Sequence, residues 1–129
     1  ALIADLNTIK YSTNPYNVNR MTSAAGIAAI DDNDYYMQNC KRIIENREYT
    51  TRELRRLGFT VLDSMTNFVF AKSDRIGGEE LYLALRERGI LVRHFGAERI
   101  KDYNRITIGS DEQMRTFVET VEKILEERA

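Results

Sequence analysis

"NRITIGSDEQM", residues 104–114, holds a strand, a turn and the start of a helix. Ile106, Thr107 and Ile108 are β-prone, and Gly109 turns the chain. Ser110 stands three residues before Gln113, the spacing at which each side chain can satisfy the other's backbone N–H. Asp111 and Glu112 follow, where the positive end of a helix favours negative charge. The helix then carries Met114, Phe117, Val118, Val121, Ile124 and Leu125 along one stripe. Side chains alternate along a strand, so Ile106 and Ile108 share one face while Arg105 and Thr107 share the other. If the isoleucines meet the helix stripe, Arg105 stands on an open face. A sheet covered on one side only is the architecture this implies.

Working back, "GILVRHF" reads as a strand over 90–95 with Arg93 inside it, and "YNRITIG" as a strand over 103–109. "GGEELYLALRERG" is a helix stopped by Gly89. "FTVLDSMTNFVFAK" reads as two strands, 59–63 and 67–72, joined by a short polar turn and therefore antiparallel. The long stretch "DDNDYYMQNCKRIIENREYTTRELRRLG" is one helix ending at Gly58, with Tyr36, Cys40, Ile43, Ile44, Arg47, Thr51 and Leu54 on one face. Before it, residues 1–11 form a helix with Leu2, Ile3, Leu6 and Ile9 at helical spacing. The polar stretch "STNPYNVN" ends that helix, and its Pro15 biases Asn14 away from helical geometry. "NRMTSAAGIAAI" is a helix of small residues suited to close packing. The order is ααα-ββαββα. The expected fold class is α+β, with a short, mainly antiparallel sheet covered by helices on one face. Residues 1–31 read as connecting helices and residues 32–129 as a small α+β domain. A first helix without a capping residue implies a piece of something longer.

Twenty acids against nineteen bases in 129 residues leave a net charge of −1, which provides no field for nucleic acid or an anionic membrane. No apolar run approaches the roughly 18 residues of a spanning helix. A lone cysteine favours a reducing, cytoplasmic compartment. Cys40, on the apolar helix face, reads as a small buried hydrophobe. One Cys and one His do not make a metal site. His94 has no nucleophile or acid tied to it by spacing and reads as a plain strand residue. Gly77-Gly78 is too short for a phosphate-binding fingerprint and reads as a turn into the helix. Phe68 and Phe70 faintly resemble the sheet aromatics of an RNA-binding module. That module's basic-glycine signature is absent, so they read as core.

The arginines are the unusual feature. Two guanidiniums projecting from neighbouring strands repel unless an anion lies between them, and each can grip a carboxylate or phosphate with paired N–H bonds. Spacing by itself favours ordinary edge charges, or pairing with acids such as Asp63 or Glu98.

Order and wording go further. "NPYNVNRMTSAAGIAAI", "RELRRLGFTVLDSMTNFVFAK", "LRERGILVRHF" and "NRITIGSDEQM" together resemble the C-terminal part of the histidinol-phosphate aminotransferase family, pyridoxal-phosphate enzymes of fold type I. The resemblance covers nearly the whole chain. It implies that Arg105 binds the anionic group of the substrate, and that Arg93 assists where that group is a phosphate. Asn67 is expected close to the site, and Tyr16 and Asn17 lie in a segment that runs near it. It also implies small-molecule substrates (histidinol phosphate and the glutamate/2-oxoglutarate pair), a homodimer, and a cytoplasmic role in histidine biosynthesis. The cofactor, pyridoxal phosphate, needs a lysine in a serine-lysine motif that lies upstream of this chain in the family. Lys10, Lys41, Lys72, Lys101 and Lys123 have no such context, so the chain alone is expected to bind no cofactor and to be inactive. The competing reading is a free-standing regulatory domain that binds an anionic metabolite without catalysis.

Overall fold

The computed structural model describes residues 2–13 and 15–128, so Ala1, Ala129 and Asn14, the residue before the proline, lie outside the described residues. The chain forms two compact units, one up to Met37 and one from Gln38 onward. The first unit contains α1 (Leu2–Thr13) and α2 (Arg20–Asp31). Asn19 caps α2, its side-chain oxygen accepting the Thr22 N–H at 2.9 Å. Neither helix buries a residue, so the small-residue face of α2 is open.

The division between the units falls inside α3 (Asn33–Arg56). The second unit continues with β1 (Phe59–Val61), β2 (Phe68–Ser73), α4 (Gly78–Glu87), β3 (Arg93–His94), β4 (Asn104–Thr107) and α5 (Asp111–Glu126). The sheet order is β1-β2-β4-β3, and every neighbouring pair is antiparallel. Helix ends follow the glycines. Gly58 and Gly89 have φ of 88° and 78°, a left-handed conformation that other residues adopt only with strain. At the end of α4 the Ile90 N–H returns to the Leu85 carbonyl at 2.9 Å and the Gly89 N–H to Arg86 at 3.0 Å, closing the last turn.

One face of the sheet carries the core. Phe59, Val61, Val69, Ala71 and Ile106 pack beneath Leu54 of α3, Leu81 and Leu85 of α4, and the stripe of α5. All six apolar residues expected on α5 are buried. β1, β3 and β4 are shorter than their β-prone sequence, while β2 keeps its expected length one residue further along. Ile90 and Val92 are partly buried against the core, but only Arg93 and His94 pair with β4. Apolar character there serves packing rather than ladder formation.

Two sequence expectations are corrected. Cys40 is exposed, because α3 buries only Thr50 and Leu54 while Ile43 and Tyr49 pack at the margin of the core. Phe68 and Phe70 are not core residues. The alternation along β2 sends Val69, Ala71 and Ser73 inward, which leaves Phe68, Phe70 and Lys72 half-buried on the opposite face.

Leu54 is fully buried between helix and sheet, so Leu54→Ala is expected to cost about 2–5 kcal/mol of unfolding free energy. Leu83→Ala, on the exposed side of α4, is expected to cost less than about 1 kcal/mol. Urea denaturation of both variants checks the difference.

Candidate functional site

β4 is hydrogen-bonded on both sides, to β2 and to β3, and its alternation directs Asn104 and Ile106 into the core. Arg105 therefore emerges on the open face, half-buried. Its partner across β3 is Arg93, and its partner across β2 is Phe70. Residues so opposed have Cβ atoms about 4.5–5.5 Å apart, and like charges placed there repel. Among the described residues no carboxylate lies within 4.0 Å of either guanidinium. The acids that sequence offered as partners are engaged elsewhere. Asp63 accepts from Arg55 at 3.1 Å, and Glu98 from Lys101 at 2.6 Å. The Nε–H of Arg105 is buried and has no acceptor.

The arginines stand among rings. The Arg105 Cζ lies 5.5 Å from the centre of Phe68 and the Arg93 Cζ 5.3 Å from that of Phe95. Phe70 meets Phe95 edge-on at 6.1 Å and stacks on Tyr103 at 4.7 Å. Beside them an open groove of about 510 Å³ is walled mainly by Leu62, Met65, Phe68, Phe70 and Ile100, with Arg105 and the polar Asp63, Ser64 and Thr66 also in its lining. The turn at its rim is tied down, since Ser64 Oγ donates to the Phe68 carbonyl at 2.6 Å and Arg47 donates to that of Thr66 at 2.7 Å. Such a groove can hold a molecule with an apolar body and an anionic end. The aromatic surroundings are what sequence reading missed. Two Phe residues at alternating positions of β2 were legible, but the face they take depends on which side the helices cover.

The other candidates lie as follows. Asn67 is exposed at the start of β2, where its backbone carbonyl accepts the Ile108 N–H at 2.8 Å and joins β2 to the end of β4. Tyr16 and Asn17 are exposed in the first unit, between α1 and α2. His94 pairs with Asn104 across the strands and stacks against Tyr82 at 6.0 Å, on the side away from the arginines. Lys72 shares the open face but sits over the Tyr103 ring, and no lysine lines the groove.

The family described as aminotransferase class I and II matches residues 6–121. The chain belongs to that family. Histidinol-phosphate aminotransferase from Brachyspira hyodysenteriae is 48% identical over 96% of this aminotransferase chain. The match spans 35% of that relative, so the chain is about a third the length of the curated proteins it resembles. The crystal structure of histidinol-phosphate aminotransferase from Sinorhizobium meliloti, in complex with pyridoxal 5′-phosphate, superimposes with a TM-score of 0.78 at 25% identity. That superposition covers 95% of this chain and 34% of the other. The enzyme of the same name from Clostridium acetobutylicum gives 0.77 at 26% identity, over 92% of this chain and 37% of the other.

In this aminotransferase chain, the position of β4 depends on how α5 is anchored. Ser110 and Gln113 form the reciprocal cap, with contacts of 2.9 and 3.3 Å. At the other end of the helix layer Arg56 of α3 joins Glu53 at 2.8 Å and Glu122 of α5 at 2.9 Å. The hydrogen bond from Arg56, assisted by one from Arg52, holds the Glu53 carboxyl below its ordinary value against an opposing desolvation. A depressed carboxylate contributes stability above its unfolded value, near 4.5, and that contribution is lost as pH falls through the folded value. Glu53→Gln should therefore flatten the acid limb of a stability-versus-pH curve below about pH 4.5 and leave the neutral limb parallel to wild type. Ser110→Ala is expected to cost about 1 kcal/mol in urea denaturation.

Proposed function

We propose that this chain is the substrate-anion half of a histidinol-phosphate aminotransferase. The observation that supports the reading is the direct pairing of Arg93 with Arg105, with no carboxylate of the described residues within 4.0 Å of either, beside a groove of mainly apolar walls. Two unpaired guanidiniums at one place are stabilised when an oxyanion lies between them. A carboxylate and a phosphate both fit such a fork, which suits a reaction whose two substrates, glutamate and histidinol phosphate, use one site in turn. Arg105 fixes the anion common to both half-reactions, and Arg93, more exposed, adds donors for the larger phosphate. Asn67 is read as close to the site, and Tyr16 and Asn17 as part of a segment that runs near it in the whole enzyme.

The chain alone is expected not to hold pyridoxal phosphate, whose Schiff-base lysine the family carries upstream of these residues. The cofactor supplies the electron sink of the reaction. Its lysine and phosphate cup belong to a large domain that residues 1–31 connect to residues 32–129. The chain alone binds substrate anions weakly and does not transaminate. The whole enzyme is a cytoplasmic homodimer of histidine biosynthesis. For the chain itself, no helix among the described residues is long and apolar enough to cross a membrane.

Arg105→Ala in the full-length enzyme is expected to raise KM for both substrates and to lower kcat/KM by about two orders of magnitude, the cost of a misplaced substrate. Arg93→Ala should damage kcat/KM for the phosphorylated substrate more than for glutamate. Steady-state kinetics with each substrate varied in turn checks both, and unchanged values with Arg105→Ala would sink the assignment.

A further inference from the structure

Nothing polar in the described residues holds the buried end of Arg105. Its Nε–H has no acceptor, its cross-strand neighbour is another arginine, and no carboxylate of the described residues lies within 4.0 Å of it. A long side chain in that position relieves the repulsion by swinging into water, where its fork would meet a ligand only after reordering. The contact that opposes this motion is the face of Phe68, 5.5 Å from the guanidinium carbon. Phe68 sits diagonally across the β2–β4 ladder from Arg105, opposite Thr107, a separation that an aromatic ring and a long side chain can bridge. Core packing does not account for this ring, since it stands half-buried on the face the helices leave open. A ring's negative face attracts a cation, and the attraction grows as water is excluded.

We propose that Phe68 is a positioning residue, whose ring holds the Arg105 guanidinium beside the groove so that its fork is oriented before a substrate oxyanion arrives. The inference rests on the reading of Arg105 as the substrate-anion site. The ring touches no reacting atom, and although it also walls the groove, the effect proposed here is the one it exerts through Arg105. An aromatic replacement should therefore preserve its role, and an aliphatic one of similar bulk should not.

The test is steady-state kinetics of the full-length aminotransferase carrying Phe68→Leu, Phe68→Met or Phe68→Tyr, with thermal midpoints measured alongside. Each aliphatic variant is expected to lose about tenfold in kcat/KM for both glutamate and histidinol phosphate, at an unchanged midpoint, while Phe68→Tyr stays within about twofold of wild type. In an Arg105→Gln background the Leu and Met changes should add less than about twofold, because a group that acts through Arg105 has nothing left to position. Equal losses in the Leu and Tyr enzymes, no loss in any variant, or a full loss that persists in the Gln background would each overturn the proposal. If Arg105→Gln alone leaves both substrates' kinetics unchanged, the anion-site reading fails and takes this inference with it. If Arg105→Gln is damaged while both aliphatic variants are intact, only this inference falls.

Discussion

Ile106 can reach the helix layer only if Arg105 points the other way. That geometric constraint, the alternation of side chains along a strand, governs the rest of the second unit. β4 is bonded to a strand on each side, so a slip of one residue would bury a guanidinium and expose Ile106. The stripe of α5, anchored at Ser110 by its reciprocal cap, makes the opposite choice far more favourable. Once β4 is set, the registers of β2 and β3 place Phe70 and Arg93 on either side of Arg105 along one row of the open face.

That row explains how a small sheet tolerates two like charges in direct opposition. The inner face carries the stabilising burial, with Leu54, Val69, Leu85, Val121 and Ile124 almost wholly removed from water. The open face retains the repulsion and moderates it with aromatic contacts on both arginines. Acids that would have neutralised the pair are occupied by Arg55 and Lys101. The unrelieved charge is the feature on which the proposed oxyanion site rests. The open face and the core are two sides of one strand, so a substitution that shifts β4 disturbs both faces at once.

Much of this was legible in the residues because it depends on local rules. Period-two alternation assigned Arg105 to the face opposite Ile106, and helical spacing picked out the α5 stripe residue for residue. Gly58 and Gly89 marked helix ends because few other residues take positive φ. The motifs around Pro15, Asn67, Arg93 and Arg105 pointed to the aminotransferase family by wording rather than by physics. Other features were not local. The exposure of Cys40 depends on where along α3 the sheet begins to cover it, and spacing along one helix carries no such information. The outward placement of Phe68 and Phe70 depends on which face of β2 the helices occupy.

By itself, then, the sequence determined the order of elements, the cap of α5, the glycine stops, the opposed faces of β4 and the family. These follow from bonded geometry and from side-chain periodicity within a few residues. Only the tertiary structure decided that Arg93 stands directly across from Arg105, that Asp63 and Glu98 pair elsewhere, and that a phenylalanine ring lies beside each arginine. Those facts depend on strand register and on contacts between residues far apart in the chain, which are set when the whole unit packs and not before.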